Sequence, residues 1–408
     1  MELSQAKERI KQAELASKVL FDDISETALF NQEKILNAFF KNKVNYSHFN
    51  GTTGYGYDDI GRDNLNRIFA DVFGAEGALV SPLIANGTHA LTLALFGILR
   101  PRDLLYSVAG KPYDTLDEVI NGKGNGSLKD FGIDYLYSDF SDGKFDFENI
   151  ARVLKDKKPK VVFIQRSKGY LWREALSLAE IAEVISFIRN IRPESVIMVD
   201  NCYGEFTEKQ EPCEVGADIA IGSLIKNPGG GIAPTGGYIV GKKTLIEQIS
   251  YRLTAPSLGS EVGSYAQGYR LFYQGLFMAP SVVANVLKFN TVASRVLTDC
   301  GCQTMPQCGK RPYDIINSIK FDTAEELIEF CRIIQSVSPI DSYVTPEPWD
   351  MPGYPHQVIM AAGTFVQGAS LELTADGTVR EPFVAYMQGG LTYEHCMIAL
   401  RKILTEMF

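Results

Sequence analysis

Lys226 stands where a short apolar run meets a glycine-rich bend. Residues 219–221 (Ile-Ala-Ile) are typical of a buried strand, Ser223 follows them, and Lys226 comes three residues later. Residues 227–231 (Asn-Pro-Gly-Gly-Gly) can continue neither a helix nor a central strand. A lysine held at the mouth of a buried strand is partly desolvated, which lowers its pKa towards the neutral amine. We therefore expect Lys226 to be a reactive amine, although a surface lysine before an ordinary loop has the same pattern.

Asp200 ends a second apolar run, at residues 195–200. In an open α/β sheet, ligands bind at the carboxyl ends of the strands. A neutral amine such as that of Lys226 can form a Schiff base with the aldehyde of pyridoxal phosphate, and a nearby carboxylate keeps the pyridine nitrogen of that cofactor protonated. Asp200 could instead cap a loop or a helix. The two residues in this order, one short connection apart, indicate a pyridoxal-phosphate site much more specifically than either residue alone.

A helix beginning at residues 86–89 (Asn-Gly-Thr-His) offers a place for a phosphate. Gly87 leaves backbone N–H groups accessible at the start of the helix, and the helix dipole favours an anion there. An ordinary helix with an asparagine cap would look the same. Together with Lys226 and Asp200, the segment around Gly87 and Thr88 is the natural phosphate cradle.

Asp200 and the Ser223-x-x-Lys226 pattern resemble the fold-type I pyridoxal-phosphate enzymes. Further motifs are similar to a branch near the cystathionine and methionine lyases that is often labelled as aluminium-resistance proteins. These motifs are residues 54–62 (GYGYDDIGR), 86–89 (NGTH), 110–115 (GKPYDT), 165–170 (QRSKGY), 274–277 (QGLF) and 388–395 (QGGLTYEH). They extend from about residue 50 to near the C-terminus, so the resemblance covers most of the chain.

The resemblance implies roles for residues in these motifs. Tyr113 is expected to stack on the cofactor ring and to pass a proton to a leaving group. His89 competes for the stacking role, or is a histidine satisfied within its helix. The hydroxyl of Ser223 is expected to bind the phosphate, and Gln165 the ring hydroxyl of the cofactor.

Two further contacts are expected from the same resemblance. Related lyases carry a Tyr-x-Arg pair whose side chains reach the phosphate of the neighbouring subunit. Here Tyr57 stands where that arginine would follow Tyr55, and the next arginine is Arg62. We expect Tyr57 to serve the partner's cofactor, or the tyrosines to pack a subunit interface. Arg380 is expected to hold the substrate's α-carboxylate through two parallel hydrogen bonds, unless it is an exposed arginine in a turn.

The elements that must position these residues predict an α/β fold. Seven apolar runs alternate with helical patterns, which favours a mostly parallel seven-stranded sheet in a three-layer, aminotransferase-like large domain, followed by a smaller C-terminal α/β domain. We assign residues 1–55 to an N-terminal helical arm, residues 56–290 to the large domain and residues 291–408 to the small one. We expect the arm to break near residues 22–25, a long helix over residues 280–297, and a strand over residues 369–373.

Composition limits the possible partners. The net charge of −9 includes no strongly basic stretch, which argues against nucleic acid. We found no uninterrupted apolar run long enough for a membrane span, and no N-terminal signal region. Seven cysteines without disulfide spacing suggest reduced thiols in the cytoplasm, and the pattern favours no metal site. The resemblance implies a homodimer or homotetramer with active sites at the subunit interface.

The sequence thus predicts a pyridoxal-phosphate-dependent lyase acting on an amino acid. Lys226 is expected to carry the cofactor and then take the α-proton, Asp200 to support the ring, and Tyr113 to assist a departing β- or γ-substituent. Sulfur is the expected leaving atom because the resembled families cleave carbon–sulfur bonds. An aminotransferase or another amino-acid-transforming enzyme would use the same residues. A non-catalytic protein in stress or metal resistance is the third alternative.

Overall fold

Nine strands precede residue 242 in the computed structural model, which describes residues 1–141, 143–351 and 354–408. Two short strands form a hairpin of their own, and the other seven form one sheet. The nine are β1 (Gly77–Ser81), β2 (Leu104–Ser107), β3 (Asp134–Tyr137), the hairpin strands β4 (Phe140–Ser141) and β5 (Lys144–Phe145), β6 (Val161–Gln165), β7 (Val196–Asp200), β8 (Ile219–Ser223) and β9 (Gly237–Gly241).

The seven-stranded sheet has the order β1-β9-β8-β7-β6-β2-β3. Strands β3, β2, β6, β7 and β8 pair in parallel, and β9 runs antiparallel to both β8 and β1. The predicted mostly parallel seven-stranded sheet is therefore confirmed.

Eleven α-helices surround the sheets in the described part of the chain. They are α1 (Leu3–Ala16), α2 (Lys18–Lys41), α3 (Ile60–Val72), α4 (Gly87–Ile98), α5 (Asp114–Asn121), α6 (Phe147–Lys157), α7 (Leu178–Ile191), α8 (Lys243–Leu253), α9 (Arg270–Asp299), α10 (Ala324–Ser336) and α11 (Tyr393–Met407).

Both faces of the large sheet are covered by helices. Along β6, Val161 and Phe163 pack into one core with α4 and α8, whereas Val162 and Ile164 pack into a second core with α6 and α7. Successive side chains of a strand point to opposite faces, so a strand buried on both faces reads as one continuous apolar run. This explains why β6 and its neighbours are uniformly hydrophobic, and it confirms the three-layer α/β fold class.

A second sheet follows α9. Its five strands are β10 (Gln303–Met305), β11 (Ile316–Phe321), β12 (Val358–Ala361), β13 (Thr374–Thr378) and β14 (Phe383–Gln388), in the order β10-β11-β14-β13-β12. All neighbouring pairs in this sheet are antiparallel. Helices α10 and α11 bury their apolar faces against it.

Helix α9 belongs to two cores. Its side chains up to Leu287 pack with α2 and α3, and those from Phe289 onwards pack against the second sheet. The domain boundaries at residues 55 and 290 remain predictions. Among the described residues α9 is also the one helix with the length and hydropathy of a membrane span, but 72% of that window is buried inside the protein. Core helices of globular proteins have this property, so α9 is weak evidence for a span.

Three sequence-based boundaries were wrong. The N-terminal helices part at Ser17 rather than at residues 22–25; Asp23 lies within α2, where its side chain pairs with Arg311 at 2.5 Å. Helix α9 begins ten residues before Pro280, which lies inside it. The strand expected at residues 369–373 lies instead at Thr374–Thr378.

Candidate functional site

The carboxyl ends of three neighbouring strands and the start of α4 line one cavity of about 480 Å³. Gln165 at the end of β6 is aligned with Asp200 at the end of β7, and Asp200 is aligned with Ile221 of β8. Parallel strands bring these ends to the same edge of the sheet, which is where an open α/β fold binds its ligand.

Lys226 lines this cavity just after β8. The side chain of Asn227 donates a hydrogen bond to the backbone oxygen of Glu205 at 2.9 Å, which anchors the bend from beneath. The glycines pack closely on α9, since a Cβ on Gly275 would lie only 2.2 Å from the oxygen of Gly229. No larger residue fits this crossing. The Nζ atom of Lys226 lies 3.9 Å from the ring centroid of Tyr203.

The pKa of Lys226 differs from the expected one. Burial is the largest influence and lowers the pKa, but the acidic groups around the amine, among them Cys202 and Asp200, together raise it well above its usual range. The prediction of a depressed pKa was therefore wrong for the cofactor-free chain. Burial is the largest single influence, and the surrounding acidic groups outweigh it only when they act together.

Asp200 is buried and held in place by its own turn. One of its carboxylate oxygens accepts a hydrogen bond from the backbone N–H of Cys202 at 3.1 Å. Burial raises the pKa of Asp200, and the nearby charge of Lys226 opposes the rise. The two residues predicted to do the chemistry therefore lie in electrostatic contact within one cavity.

The first turn of α4 has the form of an anion cradle. Asn86 caps the helix by accepting a hydrogen bond from the backbone N–H of His89 at 2.9 Å. The first N–H groups of a helix have no intrahelical partner. A Cβ on Gly87 would lie 3.1 Å from the Sγ atom of Cys202 and 3.4 Å from the Cβ atom of Ser223. Glycine thus lets the helix start approach the ends of β7 and β8, where Ser223 also lines the cavity.

Tyr113 and Thr88 face the cavity together. The Tyr113 hydroxyl and the Thr88 Oγ1 atom are 3.1 Å apart, in hydrogen-bond contact. Burial, reinforced by Asp200, raises the pKa of Tyr113 far above its ordinary value. His89 lies outside the cavity lining, where its Nδ1 atom accepts a hydrogen bond from the backbone N–H of Ala85 at 3.0 Å. Of the two candidates for stacking, the structure brings only Tyr113 to the cavity.

Gln165 provides a test of whether a cofactor fits. It lines the cavity and is nearly fully buried, and its Oε1 atom has no hydrogen-bond partner within the described residues. Its Nε2 atom donates to the backbone oxygen of Ser167 at 3.3 Å. A buried polar atom without a partner is costly, and a polar ligand would satisfy it. The glycine-lined cradle, the central amine, the carboxylate and this amide together match what pyridoxal phosphate requires.

Two predicted contacts lie outside the cavity of the single chain. Tyr57 is exposed and stacked on Tyr55, with ring centroids 5.6 Å apart. Arg62 is buried and donates hydrogen bonds to the backbone oxygens of Gly56 and Gly263 at 2.9 and 3.3 Å, so it organises the tyrosine loop. Arg380 is exposed, in the turn between β13 and β14, and does not line the cavity.

The cavity contains residues that the sequence did not single out. Cys202 and Tyr203 directly follow Asp200, so their position after a strand-end carboxylate was a usable signal. Tyr170 also lines the cavity, inside a motif already noted for Gln165. Gln388 of the second sheet also lines the cavity and begins the motif noted at residues 388–395. Asp376, from the same sheet, carried no local sequence signal. Nowhere in the described ranges do three His, Cys, Asp or Glu side chains form a group that could hold a metal ion.

Fold and cavity together define the class as a fold-type I pyridoxal-phosphate enzyme. A distant solved structure shares this fold: the pyridoxal-5′-phosphate-dependent protein YhfS from Escherichia coli has 17% sequence identity and a TM-score of 0.63 over 94% of this chain and 97% of that one.

The family follows from closer comparisons. The profile of the methionine gamma-lyase family matches residues 6–408, so the chain belongs to that family. The Bacillus subtilis protein YnbB is 51% identical over 381 residues, covering 92% of this chain and 90% of that protein. The prediction of a carbon–sulfur lyase-like enzyme is therefore confirmed at the level of the family.

Two solved structures are similar over nearly the whole chain. One, from Listeria monocytogenes, is described as a candidate cystathionine beta-lyase involved in aluminium resistance; it has a TM-score of 0.96 and 48% identity over 98% of this chain and 100% of that chain. The other, from Clostridium novyi, is described as a carbon–sulfur lyase involved in aluminium resistance; it has a TM-score of 0.95 and 47% identity over 99% of this chain and 96% of that chain.

Proposed function

We propose that this protein is a pyridoxal-phosphate-dependent lyase that cleaves a carbon–sulfur bond in an amino acid by β- or γ-elimination. The observation that carries the proposal is the meeting of Lys226 and Asp200 in one cavity, opposite the glycine-lined start of α4. The names of the Listeria and Clostridium relatives support sulfur as the leaving atom.

The residues present would hold the cofactor at several points. Lys226 would bind its aldehyde, and Asp200 would serve its pyridine nitrogen. Gly87, Thr88 and Ser223 would hold the phosphate, and the Gln165 amide would bind the ring hydroxyl. When bound, pyridoxal phosphate supplies an electron sink that stabilises negative charge at the substrate's α-carbon.

Proton movement falls to two residues of this chain. The Lys226 amine would take the α-proton of the bound amino acid as a general base. Tyr113 is protonated at neutral pH, as any tyrosine is, and burial raises its pKa further, so it is a weak acid in this cavity. Its place in the cavity, and not this shift, makes it the proposed proton donor to the departing sulfur. Thr88 orients that hydroxyl through their 3.1 Å contact.

The remaining proposed contacts lie at the edges of the site. Arg380 would bind the α-carboxylate from the turn between β13 and β14. Its charge already acts on Tyr386, a cavity residue, and opposes the rise in that residue's pKa. Tyr57 would reach the cofactor of a partner subunit in a homodimer or homotetramer, which is consistent with its exposure in the single chain. We place this enzyme in the cytoplasm on the basis of its seven free cysteines.

A substrate panel tests the proposed reaction. The purified protein, loaded with pyridoxal phosphate, is given sulfur-containing amino acids, and ammonia, ketoacid and thiol are quantified. Elimination predicts all three products in equal amounts. Ketoacid without ammonia, dependent on an added ketoacid acceptor, would instead identify an aminotransferase. If no amino acid is consumed by the loaded protein, the lyase proposal fails and a non-catalytic resistance role gains support.

Lys226→Ala supplies the matched variant. It should abolish both turnover and the visible absorbance band of the bound cofactor, because no other cavity lysine lies within the described residues. Lys310→Ala, an exposed lysine far along the chain, is the control and should change neither. A Lys226→Ala protein with normal turnover would contradict the proposal.

A further inference from the structure

The second sheet contributes an acidic wall to the cavity. Asp376 of β13 and Gln388 of β14 both line the cavity. The Gln388 amide donates a hydrogen bond to one carboxylate oxygen of Asp376 at 3.1 Å. The other oxygen, Oδ1, is buried and makes no hydrogen bond of ordinary length among the described residues, although the Tyr170 side chain lies near enough to lower the pKa of this carboxyl group. We call Asp376, Gln388 and the adjoining Tyr386 the β13–β14 wall.

A carboxyl group in this position is costly unless a ligand satisfies it. Asp376 is only 8% exposed, and burial raises its pKa to about 7 while the neighbouring Tyr170 and Gln388 side chains oppose the rise. Asp376 is not among the residues proposed to hold the cofactor. Those residues, Lys226, Asp200 and the start of α4, lie at the edge of the first sheet. An unpaired buried acceptor that faces a substrate cavity calls for a donor.

Aromatic rings surround this carboxyl group. Tyr170 packs edge-on against Tyr386 with ring centroids 4.9 Å apart, and against Tyr354 at 6.0 Å. The Tyr386 hydroxyl is already used, because it donates to the backbone oxygen of Tyr170 at 2.7 Å. The face of an aromatic ring carries negative electrostatic potential, so tyrosines beside a carboxyl group are compatible with a bound cation.

The charged residues that line the cavity also favour a bound cation at Asp376. Within the described chain its lining includes two carboxylic acids, Asp200 and Asp376, and one lysine, Lys226. The buried Arg166, next to Gln165, is already paired with Glu208 at 2.7 Å. Lys226 acts electrostatically on Asp200, and the described cavity lining contains no further lysine or arginine for Asp376.

We propose that Asp376 is a specificity-determining residue that receives a positively charged group on the sulfur-bearing side chain of the amino-acid substrate, with Gln388 fixing the orientation of the carboxylate. This inference rests on the proposed function in one respect: the substrate's α-amino group goes to the Lys226 end of the cavity. The β13–β14 wall then meets the arm beyond sulfur. The favoured substrates are sulfur amino acids whose arm carries an ammonium group.

Two probes of nearly equal size isolate this charge. S-(2-aminoethyl)-L-cysteine ends in an ammonium group, and S-propyl-L-cysteine has a methyl group in its place. The binding of each to the cofactor-loaded protein is measured by calorimetry, and kcat/KM is measured for elimination. A charge-assisted hydrogen bond predicts that the aminoethyl compound binds about tenfold to a hundredfold more tightly. Equal affinity, or a preference for the propyl compound, overturns the proposal without any variant.

Asp376→Asn removes the charge and keeps an acceptor for the Gln388 amide. It should reduce the preference for the aminoethyl compound to about one, and uptake of pyridoxal phosphate by the variant shows that it is folded. Asp156→Asn, an exposed aspartate of α6, makes the same change in net charge and should keep the preference. An unchanged preference in Asp376→Asn overturns the assignment.

Failure of the lyase proposal gives a different result. If neither probe is cleaved but the aminoethyl compound binds more tightly in an Asp376-dependent way, the cation subsite stands and the elimination chemistry does not. If both probes are cleaved at equal kcat/KM and bind equally, the lyase stands and the subsite does not.

Discussion

Tyr113 and Lys226 are the residues on which the proposed chemistry depends for proton transfer, and the proposal gives them separate tasks. Lys226 lies over the ring of Tyr203 and acts electrostatically on Asp200. Tyr113 is a buried phenol that keeps its proton at neutral pH. A base and an acid with distinct environments are what an elimination needs, since one proton leaves the α-carbon and another reaches the leaving group.

Tyr113→Phe tests the acid. The ring is retained, so the cofactor absorbance band should persist. Turnover of an S-alkyl amino acid should fall about a hundredfold or more, in the range that general acid catalysis contributes. A substrate with an S-nitrophenyl group, which leaves without protonation, should lose far less. Steady-state kinetics on both substrates checks this, with Tyr135→Phe, outside the cavity, as the control. Equal losses on both substrates would contradict the acid role.

The sequence was informative about individual residues where the chemistry is specific. Asp200 and Lys226 each end an apolar run, so both could be placed at one sheet edge without a structure. The direction in which the pKa of Lys226 shifts could not be predicted, because it depends on Cys202 and Asp200 packing around the amine. Asp376 could not be predicted from the sequence for a related reason: it lines the cavity only because the second sheet packs beside it.

Helix α4 is the element with the tightest geometric requirement at the site. Its first residue, Gly87, leaves 3.1 Å between a hypothetical Cβ and the Sγ atom of Cys202. The position of the helix start relative to β7 therefore depends on the absence of one methyl group, and the phosphate cradle depends on that position.

Gly87→Ala should weaken cofactor binding by about tenfold, because the added methyl group pushes α4 away from the strand ends. Combining it with Cys202→Ala removes the opposing sulfur and should restore part of the affinity; the backbone N–H of residue 202, which bonds Asp200, is unaffected. Titration of the apo-protein with pyridoxal phosphate measures both. Cys202→Ala alone is the control. A double variant as weak as Gly87→Ala would refute steric crowding as the cause.

Strand prediction succeeded in the first sheet and failed at β13. The central strands of the first sheet are apolar on both faces and therefore easy to recognise, whereas the edge strand β3 is largely exposed. Strand β13 contains Asp376-Gly377, which normally favours a turn. The glycine is needed because a Cβ there would lie 2.5 Å from the oxygen of Val384 and 2.9 Å from Leu327 of α10. Contacts from distant parts of the chain, and not local preference, make this segment a strand.

At the scale of the whole molecule, buried acids link stability to pH. Burial raises the pKa of Glu205 from 4.5 to about 8, and the Tyr238 hydroxyl donates to its carboxyl group at 2.8 Å. Between these pH values the folded state binds more protons than the unfolded state. The stabilisation from protonated Glu205 is therefore complete below about pH 4.5 and is lost as the pH rises through about 8.

Glu205→Gln keeps an acceptor for Tyr238 and removes the titration. The melting temperature of the wild type should fall relative to that of the variant as the pH rises from about 5 to about 9. Thermal unfolding of both proteins across this range provides the measurement. A difference in melting temperature that does not vary with pH would show that Glu205 does not titrate in the folded protein.

Assembly is the other property of the whole molecule that the proposal involves. If Tyr57 serves the partner's site, Tyr57→Ala and Lys226→Ala chains each lack activity or most of it. Mixing and reassembling the two should restore turnover, because one site in a mixed dimer then combines Lys226 of one chain with Tyr57 of the other. Each variant reassembled alone is the control. Activity equal to the mean of the two parents would argue against shared sites.

The most direct test concerns the amine of Lys226. The protein is loaded with pyridoxal phosphate, treated with borohydride to fix the cofactor to any amine that holds it, digested, and mapped by mass spectrometry. The account predicts a single pyridoxyl-phosphate label, on the peptide that contains Lys226. A label on another lysine, or none on a protein that takes up the cofactor, would contradict it.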